Sequence, residues 1–340
     1  MSTQTMPLAK ALTAGLRAAL DGDDKVMVMG EDVGRLGGVF RITDGLQKDF
    51  GEHRVVDTPL AESGIVGTAI GLAMRGYRPI CEIQFDGFVF PAYDQITTQL
   101  ARFHYRSQGR LQVPVVIRIP YGGGIGAIEH HSESPEALFA HTPGLRVVSP
   151  ATPQDAYDMI RAAVVSPDPV LFFEPKGRYW SKGEVDLSSP VPSWEGEAGA
   201  DGGTPDPLGT ARIARAGTDV TLVAYGPTVA TALGAADALA VEGTSAEVVD
   251  LRSLSPLDVP TVVGSVRRTG RCVVVHEAPT FFGAGAELAA RVTEECFYSL
   301  EAPVLRVGGF HTPYPVAKIE HDYLPSVDRV CDAVDRALSH

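Results

Sequence analysis

Apolar positions along the chain switch repeatedly between a helix-like spacing and short strand-like runs. The run VMVMG (26–30) follows a segment, PLAKALTAGLRAAL, whose one helical face carries Leu8, Leu12, Leu16 and Leu20. Similar apolar runs predict strands over 79–85, 113–119 and 170–174, with helical segments around 91–105 and 153–165. Strands that are apolar on both faces and alternate with helices indicate a parallel sheet covered by helices, which is an α/β fold.

A stretch rich in glycine, proline, serine and acidic residues, 181–209, shows no periodicity and predicts a linker. After it the alternation restarts with four strand-like runs, VTLVAY, SAEVVDL, RCVVVHE and APVLRVGG, which helical patterns separate. We therefore expect a first α/β domain over 1–182, an acidic linker over 183–207 and a compact four-strand α/β domain over 208–340.

Charge is distributed unevenly along the 340 residues, whose net charge is −13. Residues 183–340 hold 22 acidic against 11 basic side chains, and 183–207 hold six acidic residues without one base. An acidic surface repels a phosphate backbone, so no nucleic-acid partner is expected. The surplus either keeps the protein soluble or attracts a basic protein partner, and charge alone favours the first explanation.

The amino-terminal residues MSTQTMPLAK lack a basic segment followed by an apolar one, and no stretch approaches the roughly 18 apolar residues of a membrane span. A cytoplasmic protein without a membrane partner is therefore expected. The cysteines lie far apart and show no metal-ligand spacing, so we interpret all four as buried thiols: Cys81, Cys272, Cys296 and Cys331.

The stretch YGGGIGAIEHHSESPEALFAH (121–141) concentrates glycine, histidine and glutamate just after an apolar run. Gly122, Gly124 and Ala127 match a dinucleotide fingerprint formally, but no helix opens within the glycine run, which disfavours a nicotinamide site. His130 and His131 follow a predicted strand, where open α/β sheets place their sites, so a catalytic and a structural role both remain open.

A second candidate is the acid of DTPLAESGIVG, Glu62. A carboxylate near the start of a helix is stabilised by the helix dipole, so a solvated acid at a helix N-terminus explains this residue equally well when it is taken alone.

Eight stretches in order from 30 to 315 resemble one known family. They are GEDVGRLGGVFRIT, DTPLAESGIVG, EIQFDGFVFPAYDQI, HHSESPEALFAHTPGLRVVSP, FFEPK, DLRSLSPLD, HEAP and TPYP. The family is that of beta subunits of the thiamine-diphosphate-dependent decarboxylating component of 2-oxo acid dehydrogenase complexes. The resemblance covers the chain apart from the acidic linker. It implies a transketolase-like pyrimidine-binding domain with a parallel sheet, followed by a transketolase C-terminal α/β domain.

The resemblance also implies which residues form the cofactor site. The glutamate of the family's T-P-L-x-E motif falls on Glu62, which would bond N1′ of the aminopyrimidine and favour the imino tautomer that takes the thiazolium C2 proton. An aromatic residue in contact with the aminopyrimidine falls on Phe88, where the branched-chain branch usually has tyrosine. Leu60 and Gln84 match neighbouring pocket positions. The histidine of the H-S-x motif falls on His131, which would position a lipoyl group and move a proton during its reductive acylation.

Further cofactors and partners follow from the same resemblance. No G-D-G occurs in the chain, although the diphosphate and magnesium site of this cofactor class uses that motif. A separate alpha subunit is therefore expected to supply magnesium and half of the active site in an α2β2 heterotetramer. The C-terminal domain would dock onto a basic domain of the dihydrolipoyl acyltransferase core. A potassium ion, held mainly by backbone carbonyls, would fall at Val115, Val116, Ala163, Ser166 and Asp168.

The expected activity is oxidative decarboxylation of branched-chain 2-oxo acids, with transfer of the acyl group to a lipoyl domain and only when the alpha subunit is present. The stretch EIQFDGFVFPAYDQI is closer to the branched-chain pattern than to the pyruvate pattern. A pyruvate dehydrogenase beta subunit is the alternative substrate assignment. The missing G-D-G leaves a third possibility open, a non-catalytic assembly subunit of such a complex.

Overall fold

The protein divides into two compact units. The structure, a computed structural model, describes residues 3–191, 194 and 206–340. The first unit comprises Met1–Tyr121 and Leu138–Leu208, and the second comprises Gly122–Ala137 and Gly209–His340. Most of the predicted linker, 192–193 and 195–205, lies outside the described residues.

The first unit carries most of its helices between parallel strands. Its elements are β1 (Thr3–Pro7), α1 (Leu8–Gly22), β2 (Val26–Gly30), α2 (Leu46–Phe50), β3 (Val55–Asp57), α3 (Glu62–Met74), β4 (Arg78–Glu82), α4 (Phe103–Arg106), β5 (Val116–Tyr121), α5 (Glu136–Ala140), β6 (Arg146–Val148), α6 (Pro153–Val165), β7 (Val170–Pro175) and β8 (Lys182–Asp186). The helix α5 begins in the segment that belongs to the second unit.

Six of these strands form a parallel sheet in the order β6–β7–β5–β4–β2–β3. Buried valine and isoleucine side chains line up across the sheet in this order, with Ile80 opposite both Val28 and Val116. Helix α1 packs against α6, and its leucine face lies in the buried apolar core of this unit. The predicted parallel α/β fold is confirmed.

Three local predictions for the first unit need correction. The predicted strand over 79–85 ends at Glu82, and the helical segment around 91–105 is a succession of short 3-10 and π turns with Pro91 inside the first of them. The linker was expected to begin at 183, but Lys182–Asp186 pairs with β1 as an antiparallel strand. Backbone hydrogen bonds suffice for this pairing, so the polar composition did not reveal it.

The second unit repeats the α/β principle on a smaller scale. Its elements are β9 (Arg212–Arg215), β10 (Val220–Ala224), α7 (Thr228–Val241), β11 (Ala246–Asp250), β12 (Ser253–Ser255), α8 (Val259–Thr269), β13 (Cys272–Pro279), α9 (Ala284–Cys296), β14 (Leu305–Gly309), α10 (Glu320–Tyr323) and α11 (Val327–Leu338). Its sheet has the order β14–β13–β10–β11–β9. Five strands replace the four expected, because the half-polar β9 joins antiparallel to β11. Among the described helices, none combines the length and the apolar character that crossing a bilayer requires.

The second unit contains a buried histidine, and this residue makes the stability of the folded protein depend on pH. His276 lies in β13 with its side chain fully buried, where Nδ1 is 2.8 Å from the Ala278 carbonyl and Nε2 accepts a hydrogen bond from the Gly285 amide. Burial lowers the pKa of His276 from 6.5 to about 4. The imidazole therefore stays neutral in the folded protein at pH values where the unfolded chain is already protonated.

The first prediction concerns this histidine. As the pH falls, the unfolded state binds the proton before the folded state does. The contribution of neutral His276 to the free energy of unfolding is therefore fully present above pH 6.5 and is lost as the pH falls toward 4, by up to about 3 kcal/mol in total. We expect His276→Gln to remove this part of the pH dependence of urea unfolding, whatever its effect at neutral pH. The exposed His321 serves as the control, and a slope that stays unchanged in His276→Gln would contradict the assignment.

Candidate functional site

Glu62 is the first residue of α3, and most of its surface is buried. The residue is only 7% exposed, and no residue in the described part of the chain makes a hydrogen bond to its carboxylate. Glu62 lies in the first turn of the helix, where the helix dipole favours a negative charge, and no side chain of the N-cap residue Ala61 caps this turn. Glu62 therefore lies at a helix start, and the residue as a whole is largely buried. A buried carboxyl without a protein partner is a group that a ligand can use.

A second buried carboxyl lies beside it. Glu31 follows the last residue of β2 and is 8% exposed, and its Oε1 has no hydrogen-bond partner among the described residues. Burial raises the pKa of Glu31, and the charges of Glu62 and Asp32 raise it further. Sequence reasoning missed Glu31, although the signal was present: GEDVG puts an acid at the carboxyl end of a buried strand, where α/β sheets bind ligands.

Gln84, a predicted pocket residue, is turned toward the backbone that carries Glu31. Its Nε2 lies 3.5 Å from the Glu31 carbonyl and 3.3 Å from Asp32 Oδ2. The structure therefore brings Glu62, Glu31 and Gln84 together at one end of the sheet. Leu60, which lies two residues before α3, is 81% exposed.

Phe88 lies on a 3-10 turn, Asp86–Ala92, that a buried ion pair anchors. The Lys176 ammonium is 2.8 Å from Asp86 Oδ1, and both side chains are fully inaccessible to solvent. The turn holds the Phe88 ring edge-on to Phe85, with 6.0 Å between the ring centroids. A paired and buried lysine is costly to arrange, so the position of this aromatic turn is well determined.

The predicted potassium ligands fall at two neighbouring strand ends. Val116 begins β5 and Val115 precedes it. Ala163 lies in the last turn of α6, and Ser166 and Asp168 lie between α6 and β7, the strand next to β5. Some of these carbonyls already accept hydrogen bonds: that of Asp168 from Ser166 Oγ at 3.1 Å, and that of Ser166 from Arg78 at 3.4 Å. Each carbonyl keeps a second lone pair, so the potassium site stays a prediction. No group of three or more His, Cys, Asp or Glu side chains in the described ranges is suited to hold a metal.

His131 belongs to the second unit, on the loop that leads from Tyr121 to α5. It is the last residue of a 3-10 turn, Glu129–His131. The imidazole rings of His130 and His131 lie with their centroids 4.4 Å apart. A backbone bond from the Gly122 amide to the Glu133 carbonyl, 3.0 Å long, closes the base of this loop. His131 is partly buried, while His130 is exposed.

The glycine run before this turn is bound by carboxylates of the second unit. The Gly123 amide donates to Glu277 at 2.9 Å, and the Gly124 and Gly126 amides donate to the two oxygens of Glu320 at 3.0 and 3.2 Å. These amides form the kind of concave donor group that also binds phosphate, but protein acids fill it here. The resemblance to a dinucleotide fingerprint is therefore explained without a dinucleotide.

Glycine is required in this run by close approach. A Cβ at Gly122, whose φ is +79°, would lie 2.5 Å from Glu277 Oε2. A Cβ at Gly123 would lie 1.9 Å from the Tyr314 hydroxyl oxygen. Any larger residue would displace the side chains that hold the loop.

Comparison with known families matches both units. The model of the transketolase pyrimidine-binding domain matches residues 4–181, and that of the transketolase C-terminal domain matches residues 209–330. A relative named pyruvate dehydrogenase E1 component subunit beta, from Leifsonia xyli subsp. xyli, is 60% identical over 338 residues, which are 99% of this chain and 96% of that protein. The chain belongs to the family of 2-oxo acid dehydrogenase E1 beta subunits.

Other relatives of this E1 beta subunit carry different substrate names. A 3-methyl-2-oxobutanoate dehydrogenase subunit beta from Mycobacterium tuberculosis is 52% identical over 337 residues, 99% of this chain and 93% of that protein. A 2-oxoisovalerate dehydrogenase subunit beta from Pseudomonas aeruginosa is 46% identical, over 98% and 95% of the two chains. A solved structure titled split gene transketolase, inactive beta4 tetramer, superimposes with a TM-score of 0.75 at 25% identity and 98% coverage of both chains. The predicted transketolase-like fold is confirmed, whereas family membership leaves the substrate undetermined.

Proposed function

We propose that this E1 beta subunit forms part of a thiamine-diphosphate-dependent enzyme that decarboxylates branched-chain 2-oxo acids and passes the acyl group to a lipoyl domain. The observation that carries the proposal is the Glu62 carboxyl, which is buried and has no partner within the described residues. Such a carboxyl fits the ring nitrogen N1′ of an aminopyrimidine, which needs a hydrogen-bonding acid in a site that excludes water. Thiamine diphosphate, when bound, supplies a thiazolium ring that accepts the electron pair released as carbon dioxide leaves.

Glu62 would hold the proton at N1′, and its surroundings suit that task. Burial raises the pKa of the neighbouring Glu31 carboxyl, and the charge of Glu62 raises it further, so Glu31 takes up a proton more readily than an isolated carboxylate does. Gln84 steadies the backbone beneath Glu31, as its distances to Glu31 and Asp32 indicate. Phe88 and Leu60 would contact the aminopyrimidine through apolar surface. Phenylalanine lacks the hydroxyl of tyrosine, so the contact of Phe88 is stacking alone.

His131 would act at the second half-reaction, where the acyl group moves to the lipoyl disulfide and one sulfur takes up a proton. An imidazole is the side chain best matched to proton transfer near neutral pH. The partial burial of His131, beside the exposed His130, favours His131 as the residue that meets the lipoyl group while His130 remains its neighbour.

The remaining half of the enzyme would come from other chains. An alpha subunit would supply the diphosphate and magnesium site, since this chain has no G-D-G, and the two chains would assemble as α2β2. The acidic segment 208–340, with 16 acids against 11 bases, suits a basic binding domain of the acyltransferase core. Potassium at the carbonyls between α6 and β7 would have a structural role.

Substrate preference decides the finer proposal. The stretch EIQFDGFVFPAYDQI favours branched-chain acids. The relative at 60% identity is named for pyruvate, which makes the smaller substrate the second candidate.

The second prediction concerns the substrate preference of the chain reconstituted with its alpha subunit and thiamine diphosphate. We expect kcat/KM for 3-methyl-2-oxobutanoate to be at least about 10-fold above that for pyruvate, because an apolar pocket would bury the extra methyl groups. Faster turnover of pyruvate would overturn the branched-chain assignment and keep the enzyme class.

A further inference from the structure

The histidine loop depends on two acids far away in the sequence. The amides of Gly123 and Gly124 donate to Glu277 and Glu320, which lie 154 and 196 residues further along the chain. All four residues belong to the second unit, as does His131. Backbone amides therefore fix the glycine run to the rest of the second unit a few residues before the turn that contains His131.

These attachments matter because the loop has little stiffness of its own. Gly122, Gly124 and Gly126 have φ values of +79°, +88° and +68°, and glycine loses more conformational entropy on ordering than any other residue. Three amide-to-carboxylate bonds counter this loss, and charge-assisted bonds of this type are stronger than neutral ones. Without them, the glycine run would sample many conformations.

Tyr314 orients Glu320, the acid that accepts two of the three amide bonds. Its hydroxyl donates to Glu320 Oε1 at 2.7 Å, the same oxygen that accepts from Gly124. Burial raises the pKa of Tyr314, and the hydrogen bond to Glu320 raises it further, so the hydroxyl remains a donor over the whole working pH range. The Tyr314 ring packs edge-on to Tyr323, with centroids 5.0 Å apart, which fixes the hydroxyl in place.

Displacement of the glycine run would reach His131 directly. The 3-10 turn that ends in His131 begins three residues after Gly126, and the bond between Gly122 and the Glu133 carbonyl closes the loop around it. A shift of about 1 Å in a reacting group can cost about 100-fold in rate, so a loose loop would impair proton transfer at His131 more than any step at a distant group.

We propose that Glu277 and Glu320 are positioning residues, which hold the glycine run and through it set His131 for acyl transfer to the lipoyl group. This rests on the proposed function, in which His131 serves the lipoyl step alone. Neither acid would touch the substrate. Their loss should therefore separate the two half-reactions: decarboxylation continues while acyl transfer slows.

The experiment uses the reconstituted α2β2 enzyme with thiamine diphosphate. Decarboxylation is followed with an electron-accepting dye that bypasses the lipoyl group, and acyl transfer is followed with a free lipoyl domain. For Glu320→Ala we expect a fall of about 10–100-fold in the rate of acyl transfer and a change of less than about twofold in the dye-coupled rate. Tyr314→Phe, the milder variant, should show a smaller loss of the same kind, as should Glu277→Gln. Glu242→Gln, an exposed acid at the end of α7, should change neither rate.

Two further readouts separate positioning from a general structural role. In His131→Ala, a second change of Glu320 to alanine should cost nothing more, because the acid acts through the histidine. Amide hydrogen exchange over residues 123–126 should rise in Glu320→Ala and Tyr314→Phe. Unchanged exchange, a parallel fall of both rates, or full additivity with His131→Ala would each overturn the positioning proposal. A wild-type enzyme that decarboxylates but transfers no acyl group would instead overturn the proposed function, and the exchange measurement would still report whether the acids hold the loop.

Discussion

Glu62→Gln should lower decarboxylation of a 2-oxo acid by about 10²–10⁴-fold in the reconstituted enzyme, the range typical for loss of a proton-transfer group. Glutamine keeps the size and one hydrogen-bond acceptor, but it cannot exchange a proton with N1′ of the cofactor. Both the dye-coupled rate and acyl transfer should fall together, because in the proposed function Glu62 would act before carbon dioxide leaves. This pattern contrasts with that expected for His131 and for the acids that hold its loop.

The control for this variant is a neutral change at an exposed acid of the same unit, Glu52→Gln. Folding is checked through Glu31: removing the charge of Glu62 relieves a repulsion that raises the pKa of Glu31, so the cofactor-free variant should be no less stable than the wild type. Activity within a few fold of wild type would show that the chain assembles a complex without catalysing its chemistry. The non-catalytic assembly subunit would then be the better assignment.

Arg118→Met should lower the free energy of unfolding by about 3–5 kcal/mol, because it leaves two carboxylates buried without a cation. The Arg118 guanidinium is fully buried and bonds Glu174 through two nitrogens, at 2.6 and 2.9 Å, and Glu82 through a third, at 2.6 Å. Tyr179 donates to Glu174 at 2.6 Å. Two carboxylates share one cation here, so burial and the second carboxylate keep the pKa of Glu82 raised in spite of Arg118.

A matched comparison isolates the effect of burial. Arg17→Met removes an ion pair with Asp49 in which both side chains are well exposed, so a loss below about 1 kcal/mol is expected in urea unfolding. Adding Glu82→Gln and Glu174→Gln to Arg118→Met should restore much of the stability, since no uncompensated charge remains. The deficit of Arg118→Met should also shrink as the pH falls, because burial raises the pKa of Glu82 and this carboxyl then takes up a proton more readily than in the unfolded chain. Equal losses for Arg118→Met and Arg17→Met would show that this cluster does not stabilise the sheet.

Prediction from sequence succeeded where a segment's structure depends on its own residues. The runs over 26–30 and 170–174 and the helical pattern over 153–165 became β2, β7 and α6 nearly to the residue, because continuous or periodic apolar side chains encode burial locally. The polar strands Lys182–Asp186 and Arg212–Arg215 were not predicted. Their backbones pair with β1 and β11, while their side chains show no apolar alternation that would indicate a strand.

Candidate site residues divide in the same way. Motif resemblance selected Glu62, Phe88 and His131, yet it gave no sign that Glu62 is buried beside a second acid, Glu31. The glycine run illustrates the limit best. Its spacing resembles a phosphate-binding motif, whereas its amides bind Glu277 and Glu320.

The sequence by itself determined the α/β class and the family, since periodicity and ordered motifs are properties of the chain read in one dimension. Only the tertiary structure decided which charges are buried and what each polar group binds. Desolvation and hydrogen bonding depend on atoms brought within a few ångströms of each other. For the loop that carries His131, those atoms come from residues more than 150 positions away.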